Sequence, residues 1–251
     1  MNPWEALMIY IVLTIATLIT SIVSGVLSMA GGMILMGVFG FLLSVPAAMV
    51  LHGIAQAFSN GSRIWHHRRH VRWEVLLPYS LGALIVLGVF SVIAFVPSIG
   101  LVFIIIGSFP ILTLRLPKFL NLDMKKSPVA FLSGLIVTTA QMLAGASGPV
   151  LDIFYVNSNL TRHEILGTKA VTQTLGHIIK LIYYSFLLAT VTQQLPAWIF
   201  PAVVFAALAG NWIGKELIEK ISDDQFKTSG RYIILVVGLI YVVKGIYELT
   251  R

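Results

Sequence analysis

The chain has 251 residues, of which 57% are hydrophobic and only 11% are charged, and its mean hydropathy is +0.91. Soluble domains carry about 25% charged residues, so this composition excludes a soluble fold and indicates a polytopic membrane protein. The chain contains no cysteine, which removes disulfides, thiolate catalysis and thiolate metal sites. The net charge of +7 does not indicate nucleic-acid binding, because the basic residues cluster in short loops between apolar segments.

The first half begins with an apolar segment, a glycine break and a short apolar piece. The segment 4–27 is long enough to span a bilayer, and it ends at the run 28–32, which contains Gly31 and Gly32. The piece 33–44 is too short to cross a core about 30 Å thick at about 1.5 Å per residue. This pattern is typical of a discontinuous or re-entrant helix, whose loose backbone must be shielded by protein or face a cavity.

A polar stripe marks the next predicted helix, 47–65, and recurs in a second helix that ends near residue 189. Spacings of four, four and three residues keep the polar side chains of each helix within about 80° of its circumference. In the first half they are His52, Gln56, Asn60 and Arg63. In the second half, 117 residues later, they are Lys169, Gln173, His177 and Lys180. The recurrence predicts a duplicated protein with its working site between the two copies.

The loops between the apolar segments predict the topology. Further helices are expected at about 75–95, 99–114, 128–143, 197–213 and 232–247, with a short apolar piece at 150–155. The basic segments 66–72, 115–126 and 215–231 are expected to be cytoplasmic by the positive-inside rule. A metal or lipid-headgroup site is the alternative interpretation of the histidines in 66–72. The turn 190–196 after the second stripe is uncharged and is expected on the outer side.

Equivalent points of the two halves therefore fall on opposite sides of the membrane, which predicts inverted repeats. The repeats would be about 1–115 and 128–251, joined by a cytoplasmic linker at about 115–127 within a single transmembrane domain, 1–251. Discontinuous helices that meet near the midplane of inverted repeats are typical of secondary transporters, whose halves rock around a central site. We expect an all-α polytopic transporter that works by alternating access, with a passive anion channel as the alternative.

Both glycine breaks resemble those of the TauE/SafE family of membrane permeases. The run Gly25-Val-Leu-Ser28-Met-Ala-Gly31-Gly32 is similar to the glycine-rich opening of that family. The runs Gly145-Ala-Ser-Gly148-Pro149 and Thr161-Arg-His-Glu-Ile-Leu-Gly167-Thr-Lys169-Ala resemble its second-half motif. Ala30 departs from the longer glycine run often seen there. The resemblance spans almost the whole chain and implies movement of small sulfur-containing anions, such as sulfite and organosulfonates, across the bacterial inner membrane.

An anion also suits the predicted site. Half-helices that begin near the glycine breaks would direct backbone N–H groups and positive dipole ends toward the midplane. The expected substrate-binding residues are His52, Gln56, Asn60, Lys169, Gln173, His177, Gly31, Gly32, Ser147 and Gly148. Ionisable residues inside a span are functional candidates, so Asp152, Arg63 and Lys180 are candidates for coupling or gating, with a proton as the coupling ion. Simpler roles are snorkelling of Arg63 and Lys180 to the interface, interhelical bonding by the glutamines, and a helix-end position for Asp152.

The rival class is an intramembrane serine protease. The run Gly145-Ala-Ser147-Gly148 fits the Gly-x-Ser-Gly motif of rhomboid proteases, in which His177 would act as the base. The first break has no equivalent serine, the duplication has no use in such an enzyme, and Pro149 fits a helix start better. We therefore predict a transporter without catalytic residues, metal or cofactor.

Overall fold

The computed structural model describes residues 2–27, 30–115, 122–155, 158–187, 191, 194–218 and 223–251. The first half contains α1 (Pro3–Leu27), α2 (Ala30–Leu42), α3 (Val45–His67), α4 (Leu76–Ile93) and α5 (Ile99–Arg115). The second half repeats this order with α6 (Ser127–Ala144), α7 (Gly148–Ile153), α8 (Arg162–Tyr184), α9 (Ile199–Ile218) and α10 (Asp223–Thr250). Short 3-10 turns lie at Arg68–His70, Trp73–Val75 and Ser185–Leu187.

The helices are apolar on their outer faces. Within the described residues, three segments are long and apolar enough to cross a membrane, namely Pro3–Gly25, Trp73–Ile93 and Ser127–Ala144, and shorter apolar helices lie at Ala30–Leu42 and Ile99–Thr113. Leu77, Val92 and Phe205 are each more than 70% exposed, as side chains in contact with lipid would be. No strand occurs in the described ranges. The predicted all-α polytopic membrane fold is confirmed.

Local chemistry sets the ends of the helices around the second break. Helix α6 ends at Gly145, whose φ of +74° is left-handed and whose N–H donates to the carbonyl oxygen of Gln141 at 2.8 Å. Glycine adopts this conformation without strain. Helix α8 begins with a capping box, in which the Thr161 N–H donates to the Glu164 carboxylate at 2.7 Å and the Thr161 hydroxyl accepts from the Glu164 N–H.

The long apolar helices pair through glycines and exchange partners between the halves. Helix α1 packs against α9, α6 packs against α4, and α5 packs against α10. A Cβ at the contact glycines would lie too close to the facing helix, as at Gly25 against Gly214, Gly134 against Tyr79, and Gly107 against Gly238. Small residues are the usual means of close packing between membrane helices, because lipid supplies no hydrophobic driving force.

The two polar-striped helices, α3 and α8, pack against each other at the centre and run antiparallel. Gly53 near the start of α3 faces Leu181 near the end of α8, whereas Gly167 near the start of α8 faces His67 at the end of α3. Helices α5 and α10 are also antiparallel, because Gly100 faces Gly245 and Gly107 faces Gly238.

Several predicted boundaries differ from the structure. Helix α2 begins at Ala30, so Gly31 and Gly32 lie in its first turn and not in a loop, and the second short piece is 148–153 instead of 150–155. The segment 215–231 is not one loop: Lys215 belongs to α9, and α10 already begins at Asp223. The hydropathy pattern underestimated the length of both helices, because lysine, glutamate and glutamine are good helix formers although they are polar.

Parts of the predicted linker, of the third basic loop and of the outer turn lie outside the described residues, at 116–121, 219–222, 190, 192 and 193. Ser28 and Met29 of the first break do so as well.

Substitution of Gly82 and of Gly88, which lie on the same helix α4, separates helix packing from helix propensity. A Cβ at Gly82 would overlap the carbonyl oxygen of Phe131 on α6, whereas nothing lies within 4 Å of a Cβ at Gly88. We expect Gly82→Ala to destabilise the protein by about 1–3 kcal/mol through overpacking. Gly88→Ala should be neutral or stabilise by up to about 1 kcal/mol. Thermal unfolding of the purified variants measures both, and equal shifts would contradict the packing described here.

Candidate functional site

Polar side chains of both stripes are withdrawn into the interface between α3 and α8. None of the following is more than 7% exposed: His52, Gln56, Asn60, Lys169, Gln173, His177 and Lys180. The alternative that Lys180 extends to the membrane surface is therefore wrong, since its side chain is fully buried. Buried polar groups are costly unless they are hydrogen-bonded, so their partners indicate what each of them does.

Lys180 connects the two glycine breaks through His52. Nζ of Lys180 donates to the carbonyl oxygen of Gly145 at 2.8 Å and lies 3.0 Å from Nδ1 of His52. Nε2 of His52 lies 2.8 Å from the carbonyl oxygen of Gly32. Because a carbonyl oxygen only accepts, Nε2 of His52 carries a proton.

The break in the second half carries a glutamine that the sequence analysis missed. The hydroxyl of Ser147 donates to Oε1 of Gln141 at 2.6 Å, and Gln141 is 1% exposed. Among the described residues, the buried side-chain nitrogens without a hydrogen-bond partner include Nε2 of Gln56, Nε2 of Gln141 and Nδ1 of His177. Because such atoms are rare in folded proteins, they are candidates for contact with a ligand.

The other charged candidates have partners within their own half. Lys169 forms a buried ion pair with Asp152 of α7. Arg63 donates to Oδ1 of Asn60, and it also approaches the carbonyl oxygen of Ser24 at 3.5 Å. The positive charges of the two stripes therefore differ in surroundings: Lys180 faces a histidine and a carbonyl oxygen, whereas Lys169 faces a carboxylate.

A small cavity lies at the centre, between the two breaks. Eight of the residues predicted for the site line it: Gly32, His52, Gln56, Arg63, Ser147, Gly148, Gln173 and His177. Ser24, Met33 and Ala146 line it as well and were not predicted. Its volume is about 10 Å³, close to the roughly 10–15 Å³ that one water molecule needs. The central cavity is therefore contracted in this conformation.

Five predicted residues do not line the central cavity. Four of them lie outside the lining and form the hydrogen bonds described above: Asn60, Lys169, Asp152 and Lys180. The fifth, Gly31, packs directly against Thr20 and Ser24 of α1. Gln141 and Ser24 could have been found as isolated polar residues in apolar segments, but interhelical bonding explains such residues equally well.

The arrangement around Ser147 is not that of a protease. A nucleophilic serine must donate its proton to a base, but the Ser147 hydroxyl donates to the amide oxygen of Gln141, which is not one. The alternative based on Ser147 and His177 therefore has no support in this geometry.

An apolar helical bundle around a buried polar centre that is built at two glycine breaks defines a membrane permease. Over residues 13–241 the chain matches the family model described as Sulfite exporter TauE/SafE. The chain belongs to this family, as the resemblance of its glycine breaks implied. Members of the family are membrane transporters and not enzymes. No curated protein and no solved structure matches the chain.

Two carboxylate-to-amide substitutions test whether the buried ion pair stabilises the site. Asp152→Asn removes the charge that faces Lys169, whose side chain is only 4% exposed. We expect a loss of about 3 kcal/mol or more, because a buried charge loses its compensation. The control Glu248→Gln breaks the Lys244–Glu248 pair on α10 and should cost at most about 0.5 kcal/mol. Thermal unfolding compares the two, and a small loss for Asp152→Asn would count against a stabilising pair.

Proposed function

We propose that the protein is a secondary transporter that moves a small sulfur-containing anion, sulfite or an organosulfonate, across the bacterial inner membrane by alternating access. The observation that supports this best is the connection from Lys180 through His52 to both glycine breaks. A buried amine that bonds the backbone of one break and reaches the other through His52 is suited to sense an anion and to link the movements of the two halves.

The chemistry of the central cavity favours an anion. Its polar lining offers several hydrogen-bond donors and one guanidinium, and none of the described residues that line it is acidic. The unpartnered amide nitrogen of Gln56 and Nδ1 of His177 belong to the same lining. An oxyanion with several acceptor oxygens would satisfy such donors, and charge-assisted hydrogen bonds are about twice as strong as neutral ones.

The orientation of equivalent helices supports inverted repeats. Helices α3 and α8 hold the same place in the two halves and run antiparallel, as do α5 and α10. An axis in the membrane plane produces this relation, whereas parallel repeats would give parallel counterparts. The repeats at about 1–115 and 128–251 then form one domain, with the basic segments 66–72 and 115–126 on the cytoplasmic side.

Transport requires the central cavity to widen, because its volume of about 10 Å³ is too small for a sulfur oxyanion. The contact between His52 and Lys180 is the one that joins the two breaks. A proton bound at Nδ1 of His52 would compete with the Lys180 ammonium for that position. A proton is therefore the coupling ion that this site suits.

A double substitution in the cavity tests the proposed substrate. In proteoliposomes we expect saturable uptake of sulfite, thiosulfate or sulfoacetate, but not of chloride, by the wild type. Gln56→Ala/Gln173→Ala should reduce uptake at least tenfold, since hydrogen bonds to charged groups contribute about 1.5–3 kcal/mol each. The control Gln194→Ala removes an exposed glutamine that bonds Ser44 outside the cavity and should transport normally.

Equal uptake of all four anions, or none, would overturn the substrate class. Flux that does not saturate would indicate a passive anion channel.

Ser147→Ala distinguishes transport from proteolysis. The substitution removes one hydroxyl and its bond to Gln141, so we expect transport to persist with a change of at most about tenfold. Uptake of the anion and cleavage of a membrane-embedded peptide substrate are measured on the same preparations. Peptide cleavage by the wild type that disappears in Ser147→Ala would contradict the transporter assignment.

A further inference from the structure

Arg63 lies between the central cavity and a second, much larger cavity. The larger cavity has a volume of about 380 Å³ and is lined by His67 and His70, so it lies on the face that carries the segment 66–72. Among the described residues, Arg63 alone lines both cavities. A route from the central cavity to this face therefore passes the side chain of Arg63.

Partners from both halves of the chain hold Arg63 across this route. Its guanidinium donates to Oδ1 of Asn60 on α3 and approaches the carbonyl oxygen of Ser24 on α1 at 3.5 Å. The carboxylate of Asp152 on α7, in the second half, attracts it electrostatically. The position of Arg63 consequently depends on how the two halves face each other.

The opposite end of the pair formed by α3 and α8 carries an equivalent arrangement. The two helices are antiparallel, so His52 lies beside Lys180 at one end, whereas Arg63 and Lys169 lie toward the other. At the offset of 117 residues between the stripes, His52 corresponds to Lys169. Lys180 corresponds to Arg63 at the same offset. The two ends of the helix pair are therefore related by the duplication.

The two ends are closed by different chemistry. His52 and Lys180 touch directly, with 3.0 Å between Nδ1 and Nζ. Arg63 and Lys169 are both basic, and like charges that are close together in a protein interior repel each other. Asp152 compensates for this repulsion, because it pairs with Lys169 and attracts Arg63. One end thus depends on a direct contact and the other on a carboxylate that interacts with two basic groups.

An oxyanion in the central cavity acts on the end that contains Arg63. The guanidinium lines that cavity and offers donors in a fork that matches an oxyanion. The anion would compete with the carboxylate of Asp152 for these donors. Binding of the substrate can therefore change the partners that hold Arg63 in place.

We propose that Arg63 is the gate between the central cavity and the face that carries the segment 66–72, and that the contact between His52 and Lys180 is the equivalent gate toward the opposite face. This inference rests on the proposed alternating access and assigns residues to its two gates. A ligand or substitution that favours one state does so at the expense of the other. Weakening one gate should therefore expose the central cavity to its own face and reduce its exposure to the other face.

Labelling of a single thiol tests the two gates, because the chain contains no cysteine. Ala146→Cys places one thiol in the lining of the central cavity. Its rate of reaction with a membrane-impermeant methanethiosulfonate is measured in vesicles of each orientation. Protease access to the segment 66–72 establishes the orientation.

Arg63→Gln, combined with Ala146→Cys, should raise the labelling rate from the face that carries the segment 66–72 about fivefold or more, and lower it from the opposite face. Arg63→Lys keeps a charge that Asp152 attracts and should raise the rate less. The control Arg68→Gln removes an exposed charge in the neighbouring turn that lines neither cavity, and it should leave both rates unchanged. No rise in Arg63→Gln, or an equal rise from both faces, would overturn this gate.

His52→Leu removes the contact with Lys180 and should have the reverse effect, with faster labelling from the opposite face and slower labelling from the face that carries the segment 66–72. A rise from the same face in His52→Leu and Arg63→Gln would contradict the pair of gates. Because Arg63→Gln is measured from both faces, it decides on the gate at Arg63 even where the buried His52→Leu variant does not fold.

Sulfite and sulfoacetate flux is measured in the same vesicles. Absence of flux in the wild type would overturn the proposed function, whereas opposite shifts in labelling would still support the two gates. Normal flux together with unshifted labelling in Arg63→Gln would overturn the gates while the transport function stands.

Discussion

The buried amine of Lys180 constrains the centre of the molecule, because it joins the two glycine breaks. An ionisable group within a membrane interior is costly unless its burial is compensated. Here the compensation comes from the carbonyl oxygen of Gly145, at the end of α6, and from the lone pair of His52. Carbonyl groups in the last turn of a helix lack intrahelical partners and form the negative end of its dipole. The carbonyl oxygen of Gly145 and the amine of Lys180 therefore satisfy each other's hydrogen-bonding capacity. His52 extends the same chain of hydrogen bonds to Gly32 and the first break.

The surrounding helices are held by a different interaction, the close contact of backbones at glycines. Neither half of the chain can form these contacts alone, since α1 pairs with α9 of the other half and α6 pairs with α4. The polar centre consequently lies within a scaffold whose close contacts depend on the fit of small residues.

Much of this arrangement could be predicted from the sequence, because polar residues of an apolar membrane chain avoid contact with lipid and therefore face the protein interior or the membrane surface. The four-four-three spacing identified α3 and α8 and the faces that they bury, and the glycine runs located both breaks. The partners of individual residues could not be predicted. Whether Lys180 reaches His52 depends on how far α3 and α8 are shifted along each other, and whether Lys169 reaches Asp152 depends on how α7 packs against α8. Sequence spacing defines neither arrangement. Helix ends were missed where polar residues continue the helix, as at Lys215, because hydropathy measures burial and not helix propensity.

The packing also indicates where movement between the halves would be concentrated. Helices α1, α2, α3 and α9 contact one another: Gly31 of α2 packs on α1, and Asn211 of α9 donates to Ser59 and Ser62 of α3. Helices α4, α6, α7 and α8 form the equivalent group. The bond from His52 to Gly32 stays within the first group, and those of Lys180 to Gly145 and Lys169 to Asp152 stay within the second. The contact between His52 and Lys180 crosses from one group to the other. A displacement of α3 along α8 would therefore break this contact while it preserves the bonds that shape each break.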